Sequence, residues 1–316
     1  MAVRHHPAMR TALVFLVALA ALPVGAQGLR STGPAVPLMD DGSPAIHPVW
    51  SPDGAHVAFT RARYTGVWVV DASGADARPL TDAPAAGFGF EWAPDGASVA
   101  VRAARLDGPR RLDALAVLGL DGTVTELTDW RSTPPGLPRW AGPAHVVALG
   151  EGGLDVLAVA PEARAVAPDG PVALGLLDGG LALATPASGA VRTLAPLGDT
   201  PLLNVTPSPD GSRVAFEAYG GGLYVMDADG GNLVDLGAGS RPSWSPDGRW
   251  VAVMVTADDG HAFTASDLVA VRADGSARVP LTATPARLEM NPSWSPDGAR
   301  IAFDDGDALF LLPIAE

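Results

Sequence analysis

The sequence predicts an all-β protein: a β-propeller of seven blades, with six as the alternative count, whose last blade is closed by an N-terminal strand. Three observations predict it. Nearly the same thirteen letters recur as HPVWSPDGAHVAF from His47, RPSWSPDGRWVAV from Arg241 and NPSWSPDGARIAF from Asn291. Each copy is followed by an apolar strand, a turn and a further strand. The segment that ends other repeats also stands in front of the first one.

The first residues lie apart from this pattern. Arg4 and Arg10 precede the apolar run Thr11–Val24, and Val24 and Ala26 are small residues at the −3 and −1 positions of a cleavage site. Pro23 and Gly25 interrupt the run, and it is short for a membrane span. Residues 1–26 therefore read as a signal peptide and residues 27–316 as a single propeller domain, with Gln27 the expected mature N-terminus. The expected location is periplasmic or secreted. No second apolar run is long enough to span a bilayer.

Ala35–Gly42, AVPLMDDG, resembles ARPLTDA and RVPLTAT, which close other repeats, so it can supply the outer strand of the last one. Closure of a ring removes exposed sheet edges, which otherwise template aggregation. The repeat anchors follow at Trp50, Trp92, Trp140, Pro207, Trp244 and Trp294, spaced 42, 48, 67, 37 and 50 residues apart. The interval of 67 suggests a copy hidden inside it. Seven hairpin strands start at Val67, Leu115, Leu154, Leu181, Leu223, Leu268 and Leu309. Short, evenly spaced strands with one Trp per unit indicate a propeller. The blade around Pro171–Pro196 lacks an inner-strand Trp and is expected to be the least regular.

Each letter of the motif has a physical task. Pro before Trp suits an innermost strand that bonds on one side only. Trp offers a large apolar area to the wedge between blades. Ser-Pro-Asp-Gly is turn chemistry: Pro presets φ, Asp bonds nearby N–H groups, and Gly takes the left-handed position. Asp53, Asp95, Asp210, Asp247 and Asp297 are accordingly read as turn residues.

Repeated units of this Trp-Ser/Ala-Pro-Asp-Gly type, from about Ala35 to the C-terminus, are similar to the TolB-type propeller repeats, also called WD40-like Pro-Asp repeats. The resemblance implies a propeller and a part in envelope protein complexes. The chain departs from the family in two ways. Gln27–Pro48 is too short to hold the α/β domain that precedes the TolB propeller, and seven closing strands stand where that propeller has six blades.

Composition excludes several chemistries. The 316 residues contain no Cys and no Lys. Thiol nucleophiles, thiolate metal sites and disulfides are thus ruled out, as are Schiff bases and a P-loop lysine. The formal net charge of −14 becomes −16 once Arg4 and Arg10 leave with the leader. That balance argues against nucleic acid and anionic membrane as partners. His47, His56, His145 and His261 show no metal-ligand spacing, and no G-x-S-x-G elbow is present. Asp227–Asn232 and Asp304–Asp307 read as hairpin turns rather than Ca²⁺ loops. No cofactor, metal or catalytic residue is expected.

The candidate site lies on the inner strands. Three residues before the anchors stand His47, Gly89, Leu137, Asn204, Arg241 and Asn291. One residue before them stand Val49, Glu91, Arg139, Thr206, Ser243 and Ser293. Strand alternation puts both sets on one face. His47, Glu91, Arg139, Asn204, Arg241 and Asn291 are therefore expected to converge at a channel mouth as a ligand-binding set, against the plainer reading that they solvate a water-filled channel. The arginines can hold a carboxylate bidentately. The favoured function is a monomeric, non-catalytic, exported binding or scaffold protein that engages a protein or envelope component. The alternative is a channel-mouth enzyme using His47 with Glu91 or Arg241 on a small or carbohydrate substrate.

Overall fold

A computed structural model describes residues 28–160, 172–177, 180–285 and 287–316. The expected signal peptide and Gln27 lie outside them. Seven antiparallel sheets follow one another along the chain as the blades of a ring. Blade 1 runs, from the axis outward, Ile46–Trp50, His56–Arg61, Thr65–Asp71 and Arg78–Thr81. Blade 2 (Glu91–Trp92, Ser98–Asp107, Arg110–Gly119, Val124–Glu126), blade 5 (Leu202–Pro207, Arg213–Ala218, Leu223–Asp227, Val234–Gly237) and blade 6 (Ser240–Trp244, Trp250–Asp258, Phe263–Arg272, Arg278–Pro280) repeat the order.

Among the described residues blade 3 has three strands, Arg139–Trp140, His145–Gly150 and Gly153–Ala158. Blade 4 also has three, Val172–Leu177, Gly180–Thr185 and Ala190–Leu194, with a register shift between Ala173 and Gly175. Part of the segment expected to be least regular lies outside the described residues. The start of Val172–Leu177 still explains the long anchor interval. In the full-length copies the second strand begins two residues after the turn glycine, at His56, Ser98, Arg213, Trp250 and Arg300. Ala167-Pro168-Asp169-Gly170 stands at that same offset before Val172. These four residues match the motif in sequence and lie outside the described residues.

Ring closure is as expected. Blade 7 consists of Met290–Trp294, Arg300–Asp304 and Leu309–Ala315, and its outer strand comes from the start of the chain. Val36 pairs with Leu311, Pro37 with Phe310 and Met39 with Leu309, and Arg30–Ser31 extends the pairing to Ala315 and Ile314.

The Ser-Pro-Asp-Gly segments are turns. The Ser hydroxyl donates to the Asp carboxylate in Ser51–Asp53 (2.6 Å) and Ser208–Asp210 (2.6 Å). Asp Oδ1 then accepts the N–H two residues on, as from Ala55 (3.0 Å) and Ala299 (3.0 Å). The serine hydroxyl of Ser208 draws the Asp210 carboxyl down to about 2. Each inner strand therefore runs from the channel mouth to these turns at the opposite end.

Blades are joined by the anchor residues. Trp92 Nε1 donates to Val49 O (3.0 Å), Trp140 Nε1 to Glu91 O (3.2 Å) and Trp244 Nε1 to Thr206 O (3.0 Å), each reaching the preceding blade. A cation or ring from that blade covers the indole: Arg213 over Trp244 at 5.0 Å, Arg300 over Trp50 at 4.7 Å, and His56 stacked on Trp92 at 6.5 Å. The core is thus a series of wedges between sheets, filled by Phe59, Phe216, Phe303 and Leu268, all fully buried.

Candidate functional site

The residue three places before the anchor adopts a left-handed backbone in five blades: His47 (φ 55°), Gly89 (φ 74°), Asn204 (φ 47°), Arg241 (φ 57°) and Asn291 (φ 51°). In blades 1, 5, 6 and 7 the ladder skips at this point, so each inner strand carries a bulge. Gly and Asn tolerate a positive φ; His and Arg hold it at a cost. Pro48, Pro242 and Pro292 follow the bulge residue directly, where a missing N–H forfeits no ladder bond.

The alternation expected from sequence holds in part: Val49, Arg139 and Thr206 face the same cavity as the left-handed residues, but two serines at the equivalent position do not. Ser243 and Ser293 turn toward the next blade rather than the channel. Ser243 Oγ accepts the N–H of Trp294 (2.9 Å) and Ser293 Oγ accepts that of Trp50 (3.1 Å). The left-handed residue is what re-aims the side chains.

Two buried carboxylates hold the bulges in place. Glu217 Oε1 accepts Asn204 Nδ2 (2.7 Å) within blade 5 and the N–H of Arg241 in blade 6. Asp304 Oδ2 does the same at the closure seam, accepting Asn291 Nδ2 (2.8 Å) in blade 7 and the N–H of His47 (2.9 Å) in blade 1. Each acid lies 13 residues after its Asn. Burial pushes Asp304 up to about 7, against the pull of these donors and of the Gly306 N–H.

A cavity of about 560 Å³ opens at this end of the channel. His47, Arg139, Asn204, Arg241 and Asn291 line it, so five of the six expected residues come together there. Glu91 does not line it. It sits deeper, with Arg139 Nη1 3.4 Å from Glu91 Oε2, and lines a smaller void of about 180 Å³. Burial raises the Glu91 carboxyl and the Arg139 charge pulls it back. Arg139 Nη2 also donates to Val205 O (3.4 Å).

Arg241 differs from Arg139. Its Nη1 donates to the neutral Asn204 Oδ1 (3.2 Å), and among the described residues no carboxylate oxygen comes within 4 Å of its guanidinium. Burial, and then the Arg241 charge, lower the His47 imidazole to about 4, so His47 is neutral at pH 7.

Sequence reasoning missed two aromatic side chains at the mouth. Tyr64 packs against His47 (5.2 Å between centroids) and meets the ring of Phe88 edge-on (5.1 Å). Tyr64 ends a short 3₁₀ turn, Ala62–Tyr64, inserted between the second and third strands of blade 1. The extra letters RARY in that hairpin were its only signal. Leu106, Tyr219 and Phe263 stand at hairpins of the same end and are 76%, 71% and 45% exposed. Leu106 and Phe263 lie near the tips of the two longest hairpins, in blades 2 and 6, on opposite sides of the ring. Among the described residues no three His, Asp or Glu side chains converge as a metal-ligand set.

No protein-family model matches the chain, and no curated protein matches it. Solved structures do. TolB from Acinetobacter baumannii is similar at 17% identity and a TM-score of 0.55, over 82% of this chain and 59% of that one. The chain thus spans less than two thirds of the TolB structure. An oligogalacturonate lyase in complex with manganese is similar at 16% identity and a TM-score of 0.52, over 88% of this chain and 79% of that one. Together with the seven sheets and the repeated turns, these likenesses establish the fold as a β-propeller, similar to that of TolB.

Proposed function

We propose that this chain is an exported, non-catalytic binding or scaffold protein that engages a protein or envelope component through its channel mouth. One observation carries the reading: side chains from blades 1, 3, 5, 6 and 7 converge on one cavity at the end where Phe88, Leu106, Tyr219 and Phe263 are exposed. Apolar groups around a polar-floored concavity are what a protein partner buries at an interface. The charge of −16 without the leader favours a partner with a neutral or cationic rim. Export rests on the leader-like residues 1–26, and the resemblance to TolB-type repeats is in keeping with an envelope partner. A monomer is expected.

One feature favours a second reading at the same place: a neutral imidazole, His47, faces a cavity beside an uncompensated guanidinium, Arg241. An enzyme acting on a small or carbohydrate substrate could use that pair for proton abstraction next to a stabilised anion.

The test is capture of an envelope component by the tagged wild type and by His47→Asn and Tyr219→Ser variants. Binding reduced at least tenfold in both, with melting temperatures close to wild type, is the expected result. Undiminished capture by both would remove the mouth from the account.

A further inference from the structure

Resting on the reading of the mouth as a binding site, we infer that its ligand presents a carboxylate attached to an apolar group, with Arg241 holding the carboxylate and the channel wall holding the apolar part. Several independent features point to this chemistry.

The first is the state of Arg241. Arg139, the other arginine lining the cavity, has a carboxylate within 4 Å, whereas Arg241 has none among the described residues. It offers a planar fork of donors of which a single N–H is committed, to the neutral Asn204. A guanidinium so placed matches a carboxylate in geometry and charge.

The second is rigidity. The Arg241 backbone is fixed in a left-handed conformation, and its N–H is tied to the buried Glu217. The neighbouring Asn204 is tied to the same oxygen. The backbone beneath the fork is therefore fixed, and the bond from Nη1 to the anchored Asn204 orients the guanidinium, which lowers the ordering cost of binding.

The third is the wall. Pro48, Val49, Phe90, Leu203, Pro242 and Pro292 line the cavity around the polar floor. Such a lining suits an aliphatic or aromatic group better than a polyhydroxylated one, whose hydroxyls would lose their water partners here. The net charge of the chain is strongly negative, so long-range attraction does not gather anions; a bare small anion would gain too little from one guanidinium.

The fourth is the adjoining imidazole. The Arg241 charge contributes to holding His47 neutral. An anion seated on Arg241 would cancel that repulsion and favour the imidazolium, giving a reporter inside the site.

A carboxylate of this kind can come from the C-terminus of a polypeptide or from a free organic acid. The probes separate them: N-acetyl-phenylalanine, its uncharged amide, a capped tetrapeptide ending in Phe with a free carboxylate, its amidated form, and acetate. Binding is followed by calorimetry and by NMR titration of the His47 ring. The comparison variant is Arg241→Asn, because Asn occupies the same left-handed position in blades 5 and 7 and Ala would strain there. Both acids should bind wild type at least tenfold more tightly than their amides, acetate should be weaker than either acid, and the His47 pKa should rise on binding. Arg241→Asn should lose the preference for acid over amide while melting like wild type. A tetrapeptide acid much tighter than the single residue would identify a polypeptide C-terminus; equal affinity would identify a small acid. Acids and amides that bind alike, or a preference that survives Arg241→Asn, would overturn the inference. If a captured envelope protein needs Tyr219 and Phe263 but no acid probe binds, the carboxylate inference fails and the scaffold reading stands. If the acid probes bind and no macromolecule is captured, the inference stands and the scaffold reading fails.

Discussion

Asp304 and His47 meet at the seam between the last blade and the first, the carboxylate of one accepting the backbone N–H of the other. Their titrations oppose. Asp304 has a folded value of about 7 against an ordinary 3.8. Its contribution to stability is fully present below that ordinary value and is lost as pH rises toward 7. His47 has a folded value of about 4 against an ordinary 6.5. Its contribution is present above 6.5 and is lost as pH falls toward 4. The two are worth on the order of 4 and 3 kcal/mol respectively, so between pH 4 and 6.5 they largely offset each other. Asp305 beside Asp304 adds to the upward push. Urea unfolding of two variants should separate the pair. Asp304→Asn should lose stability as pH drops from 6.5 to 4, whatever its absolute stability. His47→Asn, which keeps a residue suited to φ 55°, should gain stability over the same drop. Two variants with the same slope as wild type would contradict the assignment.

The anchors, the turn residues and the convergence of His47, Arg139, Asn204, Arg241 and Asn291 were all legible one residue at a time, because sequence register maps onto ring position. The left-handed bulge was not, because His and Arg at a positive φ run against local preference and only tertiary contacts hold them there. The spacing of Asn to a buried acid, Asn204 to Glu217 and Asn291 to Asp304, was present twice and is the signal that could have revealed it.

At the scale of elements, the Ser-Pro-Asp-Gly turn ties an inner strand to its neighbour through one carboxylate. Asp297 accepts the Ser295 hydroxyl and the N–H of Ala299 (3.0 Å), and Ser295 Oγ in turn accepts the N–H of Arg300 (3.0 Å). The turn then delivers Arg300 over Trp50 of the next blade. Replacing Asp297 by Ala removes charge-assisted bonds and should cost about 1–3 kcal/mol, read as a lowered urea midpoint with an unchanged slope. A cost near zero would show that solvent replaces the carboxylate and that the repeated Asp carries something other than turn stability. The blade lacking a Trp anchor was legible as a gap of 67 residues, but the matching letters within it, Ala167–Gly170, have no aromatic before them and so lack the mark that sets the other copies apart.

For the whole molecule, closure between the two ends of the chain is the feature that makes a ring of the sheets. Val36–Met39 covers the outer edge of Leu309–Ala315, burying Leu38 and Met39 against Leu309 and Leu311. Deleting Gly28–Asp40 should open that edge and lower the melting temperature strongly; an unchanged melting temperature would mean that the ring does not depend on the closing strand. The fold was readable because seven hairpins and a complementary N-terminal segment are properties of the sequence alone. The rising hairpins that frame the mouth were less so, since their exposed apolar tips carry no motif.

We place binding at this framed mouth and not at the turn-bearing end. Site-specific photo-crosslinking in an envelope extract tests it directly. A photoreactive residue at Tyr219 or Phe263, on the mouth, is compared with one at Asp95 or Asp210, on the opposite end. Discrete adducts are expected from both mouth positions, diminished when His47→Asn is introduced, and none from the turn positions. Adducts formed only from Asp95 or Asp210 would contradict it.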